Sequence, residues 1–282
     1  MTRFLSAQEQ FLADFHDRNA GITTRAFQSL AVEVGDRQYT SSYQCLADLV
    51  AAGVGPHSVL DLACGDGYLL SLLAQQNQPQ RTLVGIDLSQ GELAAARTRL
   101  GASVTLHKGM AQALPLPNDS VDYLLCHMAL MLMDQLDQVL CEVQRVLKDG
   151  ATFAFVVGAR PPPGAAFDRY LVRLQAIRQR HPSSSLSFGD RRLRGPEDIQ
   201  ALLAPRFEQV AIEELTLRRR YTPRQLWAWF EDMYDLHLMP PEERQQFRDE
   251  YLEELQALRD DDGKLAFTDS LRLVRGVVRK ID

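Results

Sequence analysis

Asp61 and Asp87 each close a short apolar run, and a turn of small residues containing Gly65 and Gly67 follows the first of them. An acid at the tip of a second buried strand, here 20 residues beyond Gly67, is what a parallel sheet uses to hold the two hydroxyls of a ribose. Glycine in the turn lets a ligand approach the backbone without meeting a Cβ. Two strand tips, one glycine turn and one acid therefore describe a nucleoside pocket. The turn reads Asp61-Leu62-Ala63-Cys64-Gly65-Asp66-Gly67, without the third glycine of the pyrophosphate-binding pattern and with an added carboxylate, Asp66. Negative charge there repels a pyrophosphate and tolerates a cationic, zwitterionic ligand.

Positioning these groups requires alternating strands and helices. The apolar run 58–61 reads as a buried strand of a parallel sheet, and 68–73 as the helix after the turn. Residues 83–87 form the second strand, 104–109 a third, 118–126 a turn and a fourth, and 151–157 a fifth after a helix over 134–147. A sixth strand is expected at 207–217 and a last one at 266–278. The fold class is α/β: a Rossmann-like, seven-stranded, mostly parallel sheet with an antiparallel last strand and a helical lid.

The first two units resemble the class I S-adenosylmethionine-dependent methyltransferases. Asp61, Gly65 and Gly67 match that family's first motif, and Asp87 its ribose-binding acid. The stretch Gly109-Met110-Ala111-Gln112-Ala113-Leu114-Pro115-Leu116, followed by Asn118-Asp119-Ser120-Val121-Asp122, is similar to the small-molecule type, such as the quinone-biosynthesis C-methyltransferases. Met110 departs from the family, which usually has an acid there to accept from the adenine amino group; the Ala111 backbone and the Gln112 side chain could replace it. The resemblance covers residues 58–157. It implies S-adenosyl-L-methionine as cofactor, held by Asp61, Ala63, Gly65, Gly67, Asp87, Leu88, Met110, Ala111 and Cys126. An N-terminal segment usually folds over the cofactor in this family, which adds Tyr39 and Ser42 to the set and makes Tyr43 a lid residue; capping by Ser41 or Ser42 with Tyr43 as core is the simpler alternative.

The chain of 282 residues is long enough for one large α/β domain with a cap, or for two small domains, and 45% hydrophobic residues is ordinary for a globular protein. A net charge of −6 argues against a nucleic-acid partner, despite the short basic runs at 191–194 and 218–220. No apolar run is long enough for a membrane span and the N-terminus lacks a signal-peptide core, so a cytoplasmic location is expected. Cys45, Cys64, Cys126 and Cys141 are scattered without metal-ligand spacing, and no metal site is expected.

Flanking helices complete the organisation. A capping box at Ser6–Glu9 starts a helix toward Asp17, a short one follows at 24–30, and a third opens across 36–43. The prolines 161–163 break the chain away from the sheet, ahead of a helix at 167–179 and a loop at 181–189. Helices are also expected from Pro196, from Thr222 through Tyr234, and over 241–258. The expected divisions are N-terminal lid helices at 1–53, the cofactor-binding core at 54–160, a helical cap at 161–206, and the rest of the sheet with a second helical insertion at 207–282.

Methyl transfer needs the protein chiefly to orient a nucleophile in line with the methyl carbon. His127, just after the fourth strand, is the candidate base, and a satisfied buried histidine is the alternative. Tyr170 and Trp227 are candidate substrate-facing residues of the cap, or else its core. The expected function is methyl transfer to O, N or C of a small molecule such as a secondary metabolite. Two alternatives are intramolecular cyclisation or lyase chemistry of the cofactor, releasing methylthioadenosine, and a non-enzymatic cofactor-binding module.

Overall fold

A computed structural model describes residues 4–51, 57–180, 186 and 188–280. The chain divides into two compact units, one comprising Met1–Ala159, Phe188–Leu215 and Leu271–Asp282, the other Arg160–Ser187 and Thr216–Ser270.

Helices α1 (Ala7–Arg18) and α2 (Ile22–Phe27) open the chain. Strands β1 (Val32–Val34) and β2 (Arg37–Tyr39) follow as an antiparallel pair, then α3 (Ser42–Ala51). The alternating part comprises β3 (His57–Leu62), α4 (Tyr68–Gln75), β4 (Arg81–Asp87), α5 (Gln90–Leu100), β5 (Thr105–Lys108), β6 (Val121–His127), α6 (Leu136–Val146) and β7 (Leu147–Gly158). Beyond it lie α7 (Ala165–Arg180), α8 (Pro196–Leu203), β8 (Phe207–Tyr221), α9 (Pro223–Glu231), α10 (Tyr234–His237), α11 (Pro241–Gln256) and β9 (Leu265–Val278).

The nine strands run in the order β2-β1-β8-β9-β7-β6-β3-β4-β5. Strands β7, β6, β3, β4 and β5 are mutually parallel, and β9 pairs antiparallel with β7. Nine rather than the expected seven strands arise because residues 32–39, expected to lead into a helix, form the β1–β2 hairpin. Val32 and Val34 alternate inward and Gly35 (φ +55°) turns the chain. Chain order reverses at β3, with β4 and β5 on one side and β6 and β7 on the other, and at such a point the carboxyl ends of the strands leave a crevice.

Alternate residues of β3 and β6 face opposite sides of the sheet. Leu60, Leu62, Leu124 and Cys126 join Val139, Leu140 and Val143 of α6 in one buried core, while His127 faces α3. Ile199, Leu202 and Leu203 of α8 and Phe207 of β8 belong to that same core, so the expected cap at 161–206 loses its second half to the sheet-bearing unit. The expected last division, 207–282, is also broken up, since 216–270 combine with 160–187. The expected boundary at 53/54 and the loop residues 181–185 lie outside the described residues.

The second unit has an aromatic core of its own. Tyr170 stacks on Phe230 at 4.2 Å, and Phe247, Tyr251 and Trp227 close around them at 5.4–6.3 Å. At 1% and 3% exposed, Tyr170 and Trp227 are core residues of this unit, and neither side chain is available to line a pocket. Helical spacing alone does not separate those two roles.

Candidate active site at the strand tips

The turn after β3 is an unusual backbone. Ala63 (φ +59°), Gly65 (φ +52°) and Gly67 (φ +77°) are all left-handed within five residues. For alanine that conformation costs roughly 1–2 kcal/mol. A second non-glycine, Met128 (φ +54°), sits just past the tip of the neighbouring β6. Backbone strain thus gathers at two adjacent strand ends, as it does at ligand clamps. The two glycines serve different ends. A Cβ on Gly67 would stand 2.6 Å from Leu100 and 3.2 Å from Ala96, so this glycine lets α5 approach. A Cβ on Gly65 would meet nothing nearer than Glu92 at 3.8 Å. The turn at Gly65 leaves room for a methyl, in ordinary contact with the Glu92 carboxylate.

Three carboxylates surround the turn, each in a different state. Asp66 accepts from Thr24 Oγ1 at 2.6 Å and pairs with Arg99, which also donates to its main-chain oxygen. Its charge is thus paired with Arg99 rather than free in the turn. Asp87 accepts from the Gly65 N–H with one oxygen and the Ser89 N–H with the other, both at 2.8 Å. That holds the carboxylate rigid while each oxygen keeps lone pairs for a diol. Burial still raises its pKa. Asp61 is 2% exposed, with no hydrogen bond or ion pair among the described residues. Burial first, then the neighbouring Asp87 and Asp66, push its carboxyl well above the usual range.

The tip of β6 carries His127, 5% exposed. Its ring stacks on Tyr43 at 3.6 Å, meets the edge of Phe27, and bonds Ser42 Oγ through Nε2 at 2.9 Å, while Nδ1 is buried without a partner. Burial depresses its pKa to about 3, so the imidazole is neutral at physiological pH. Tyr43 is buried between His127 and Tyr68, part of this stack rather than a mobile lid side chain. Tyr39 remains in β2, beneath the Arg37 guanidinium. Cys126 points into the α6 core, so only its main chain is left for a ligand. Leu88 follows directly on Asp87. Met110 bridges Ala113 through its main chain in the loop after β5, with Ala111 buried beside it. Gln112 is anchored by its amide nitrogen, which donates to Glu9 Oε1 and to the Asp134 carbonyl, and its side-chain oxygen is the atom that could accept in place of the missing acid.

The N-terminal helices cross all of these strand ends. Asp17 accepts from Ser89 Oγ and the Gly91 N–H after β4, and Glu92 holds the Gly21 N–H and His16. Thr24 ties α2 to the turn after β3, Glu9 meets Gln112 after β5, and Ser6 and Gln8 reach Asp134 and Leu132 after β6. Thr24, Asp17, Glu92 and Arg99 escaped the sequence reading. The Ser89–Glu92 helix cap was the available signal, since it marks where α5 begins.

The residues present fit a nucleoside whose attached chain is cationic: a rigid acid for the ribose, room at the Gly65 turn, and an uncompensated buried carboxylate for positive charge. Residues 59–150 match a family described as a methyltransferase domain. The chain is 36% identical over 112 residues to a demethylmenaquinone methyltransferase of Symbiobacterium thermophilum, covering 38% of this chain and 44% of that protein. It is likewise 36% identical over 112 residues to a malonyl-[acyl-carrier protein] O-methyltransferase of Methylococcus capsulatus, covering 39% and 40%. These matches span less than half the length of either relative. Among solved structures, phosphoethanolamine N-methyltransferase 2 of Haemonchus contortus, in complex with S-adenosyl-L-methionine, shares the fold at TM-score 0.55 and 17% identity, over 99% of this chain and 62% of that one. The [4+2]-cyclase SpnF shares it at TM-score 0.56 and 17% identity, over 98% of both chains.

Residues 59–150 form a methyltransferase domain that resembles the class I S-adenosylmethionine-dependent enzymes. Within that class it is similar to the quinone-biosynthesis enzymes.

Proposed function

We propose that the chain transfers a methyl group from S-adenosylmethionine to O, N or C of a small-molecule acceptor. The observation that carries this reading is the pairing of carboxylates at adjacent strand tips: Asp87 held rigid by two N–H groups, and Asp61 buried without a cation. When bound, the cofactor supplies an electrophilic methyl on sulfur. Asp87 takes the ribose hydroxyls, Asp61 faces the positive end, and the turn lets the main chain approach at Gly65. The Ser42–His127–Tyr43 cluster closes the far side and excludes water, where orientation accounts for most of the rate.

In this reading His127 is a positioning residue. An imidazole whose conjugate acid has a pKa near 3 draws little proton from a hydroxyl, whereas its neutral ring can hold an acceptor atom through Nδ1. The demethylmenaquinone and malonyl-carrier relatives are consistent with small-molecule or carrier-bound acceptors. Free thiols at Cys45, Cys64, Cys126 and Cys141 suit a reducing, cytoplasmic setting. Among the described residues no helix is long and apolar enough to cross a membrane.

The ties that fasten α1 and α2 over the strand ends favour one second reading, in which an enclosed cofactor reacts with itself and releases methylthioadenosine. Incubation with S-adenosylmethionine alone, followed by mass spectrometry, separates the two. Methylthioadenosine above background refutes methyl transfer; a bound, unconsumed cofactor supports it. Asp87→Ala should weaken S-adenosylhomocysteine binding at least tenfold, and unchanged affinity would remove the ribose assignment.

A further inference from the structure

Asp61 carries a charge problem that the protein does not solve. The titratable groups that interact with it electrostatically are Asp87 from β4, Asp66 and Cys64 from the turn, Tyr43 from α3 and, from the opposite face of the sheet, Cys126 of β6. All are neutral or anionic. The cation in this cluster, Arg99, is engaged by Asp66 and lies over the Tyr68 ring, and His127 is neutral. A carboxylate on a residue only 2% exposed, with no protein donor among the described residues, is costly to ionise, and such burial favours its protonated form.

We infer that Asp61 is a proton switch for cofactor loading: the ligand-free site keeps a proton on Asp61, and the arriving cofactor displaces it. This rests on the cofactor reading above. The carboxyl O–H bond breaks, the proton passes to solvent, and the carboxylate left behind pairs with the ammonium of the methionine portion. S-adenosylhomocysteine retains that ammonium and lacks the sulfonium, so it should release the proton just as the cofactor does. Burial and the two neighbouring aspartates raise the Asp61 pKa, consistent with a carboxyl that stays protonated when the site is empty. Affinity should then rise with pH, about tenfold per pH unit, until the empty carboxyl itself ionises.

The test is calorimetric titration of the intact protein with S-adenosylhomocysteine, at one near-neutral pH, in phosphate and in Tris. These buffers differ widely in ionisation enthalpy. The expected result is a buffer-dependent heat corresponding to release of most of one proton per ligand, and its loss in Asp61→Asn. Binding with buffer-independent heat would overturn the switch and leave the cofactor reading intact. Equal release from Asp61→Asn would assign the proton elsewhere and also overturn it. No binding in either buffer would overturn the cofactor reading and the switch together. Should Asp61→Asn bind too weakly to titrate, the ligand-free proteins decide. A protonated Asp61 stabilises the native state fully below the ordinary carboxyl pKa, and that contribution is lost as pH rises through its native value. The melting temperature of Asp61→Asn should therefore gain on wild type as pH rises, and parallel profiles would overturn the inference.

Discussion

Alanine at Gly65 and alanine at Gly67 should fail in opposite ways, although only Asp66 separates them in one turn. Both positions are left-handed, so either alanine pays roughly 1–2 kcal/mol for its backbone. At Gly67 the new methyl also lands 2.6 Å from Leu100 Cδ1, 3.3 Å from its Cγ and 3.2 Å from Ala96 Cβ. Leucine's tip can rotate away, but Ala96 is fixed to α5, so overpacking of about 1–2 kcal/mol is added. Gly67→Ala is thus expected to lose about 2–4 kcal/mol. Gly65→Ala meets nothing within 3.8 Å and should lose only about 1–2 kcal/mol. Affinity should reverse the order. In the proposed site the main chain approaches the cofactor at Gly65, so a methyl there should lower S-adenosylhomocysteine binding at least tenfold; the Gly67 methyl points at α5 and should affect binding much less per folded molecule. Urea denaturation and calorimetric titration of both variants measure the two effects. Equal destabilisation, or wild-type affinity in Gly65→Ala, would refute the division of labour within the turn.

Acid stability should report on His127. Its native pKa of about 3 lies below the ordinary 6.5, so the unfolded chain binds the extra proton first as pH falls. Stability conferred by the neutral ring is complete above about pH 6.5 and declines toward pH 3, by as much as about 5 kcal/mol at about 1.4 kcal/mol per pH unit. Denaturation of wild type and His127→Gln across that range should give converging curves, and parallel curves would show that His127 titrates normally in the folded protein. In the second unit, the Tyr170 hydroxyl is buried without a partner, so Tyr170→Phe should stabilise the protein by about 1 kcal/mol with unchanged S-adenosylhomocysteine affinity. A loss of binding there would restore Tyr170 to the pocket.

The strand tips and the turn were legible because each is local: an apolar run, an acid and small residues within ten positions report buried strand and turn in the same stretch. The capping box at Ser6 was equally local and forms as expected. The β1–β2 hairpin was missed although its signals were present, since three-residue strands are too short for their alternation to stand out against a following helix. Longer-range facts left no such trace. Asp66 looked like a free charge because Arg99 lies 33 residues away and Thr24 lies 42 away. The anchoring of the Gln112 amide nitrogen was equally hidden, because its partners, Glu9 and Asp134, come from distant segments. Tyr170 and Trp227 had spacing that fits a core or a pocket equally, and only the rings from α11 and Phe230 decide between them.

The ties that hold α1 have a kinetic side. Ser6 bonds a residue 128 positions away, Gln8 one 124 away and Glu9 one 103 away. Synthesis runs from N- to C-terminus, so α1 emerges more than 100 residues ahead of its anchors. A helix of 12 residues is too short to persist alone in water, and loop closures this long come late in folding. The parallel strands and their turns can therefore form while α1 is still undocked. During that interval the strand tips stand without their cover, and a ligand can enter an open cleft before α1 settles over it.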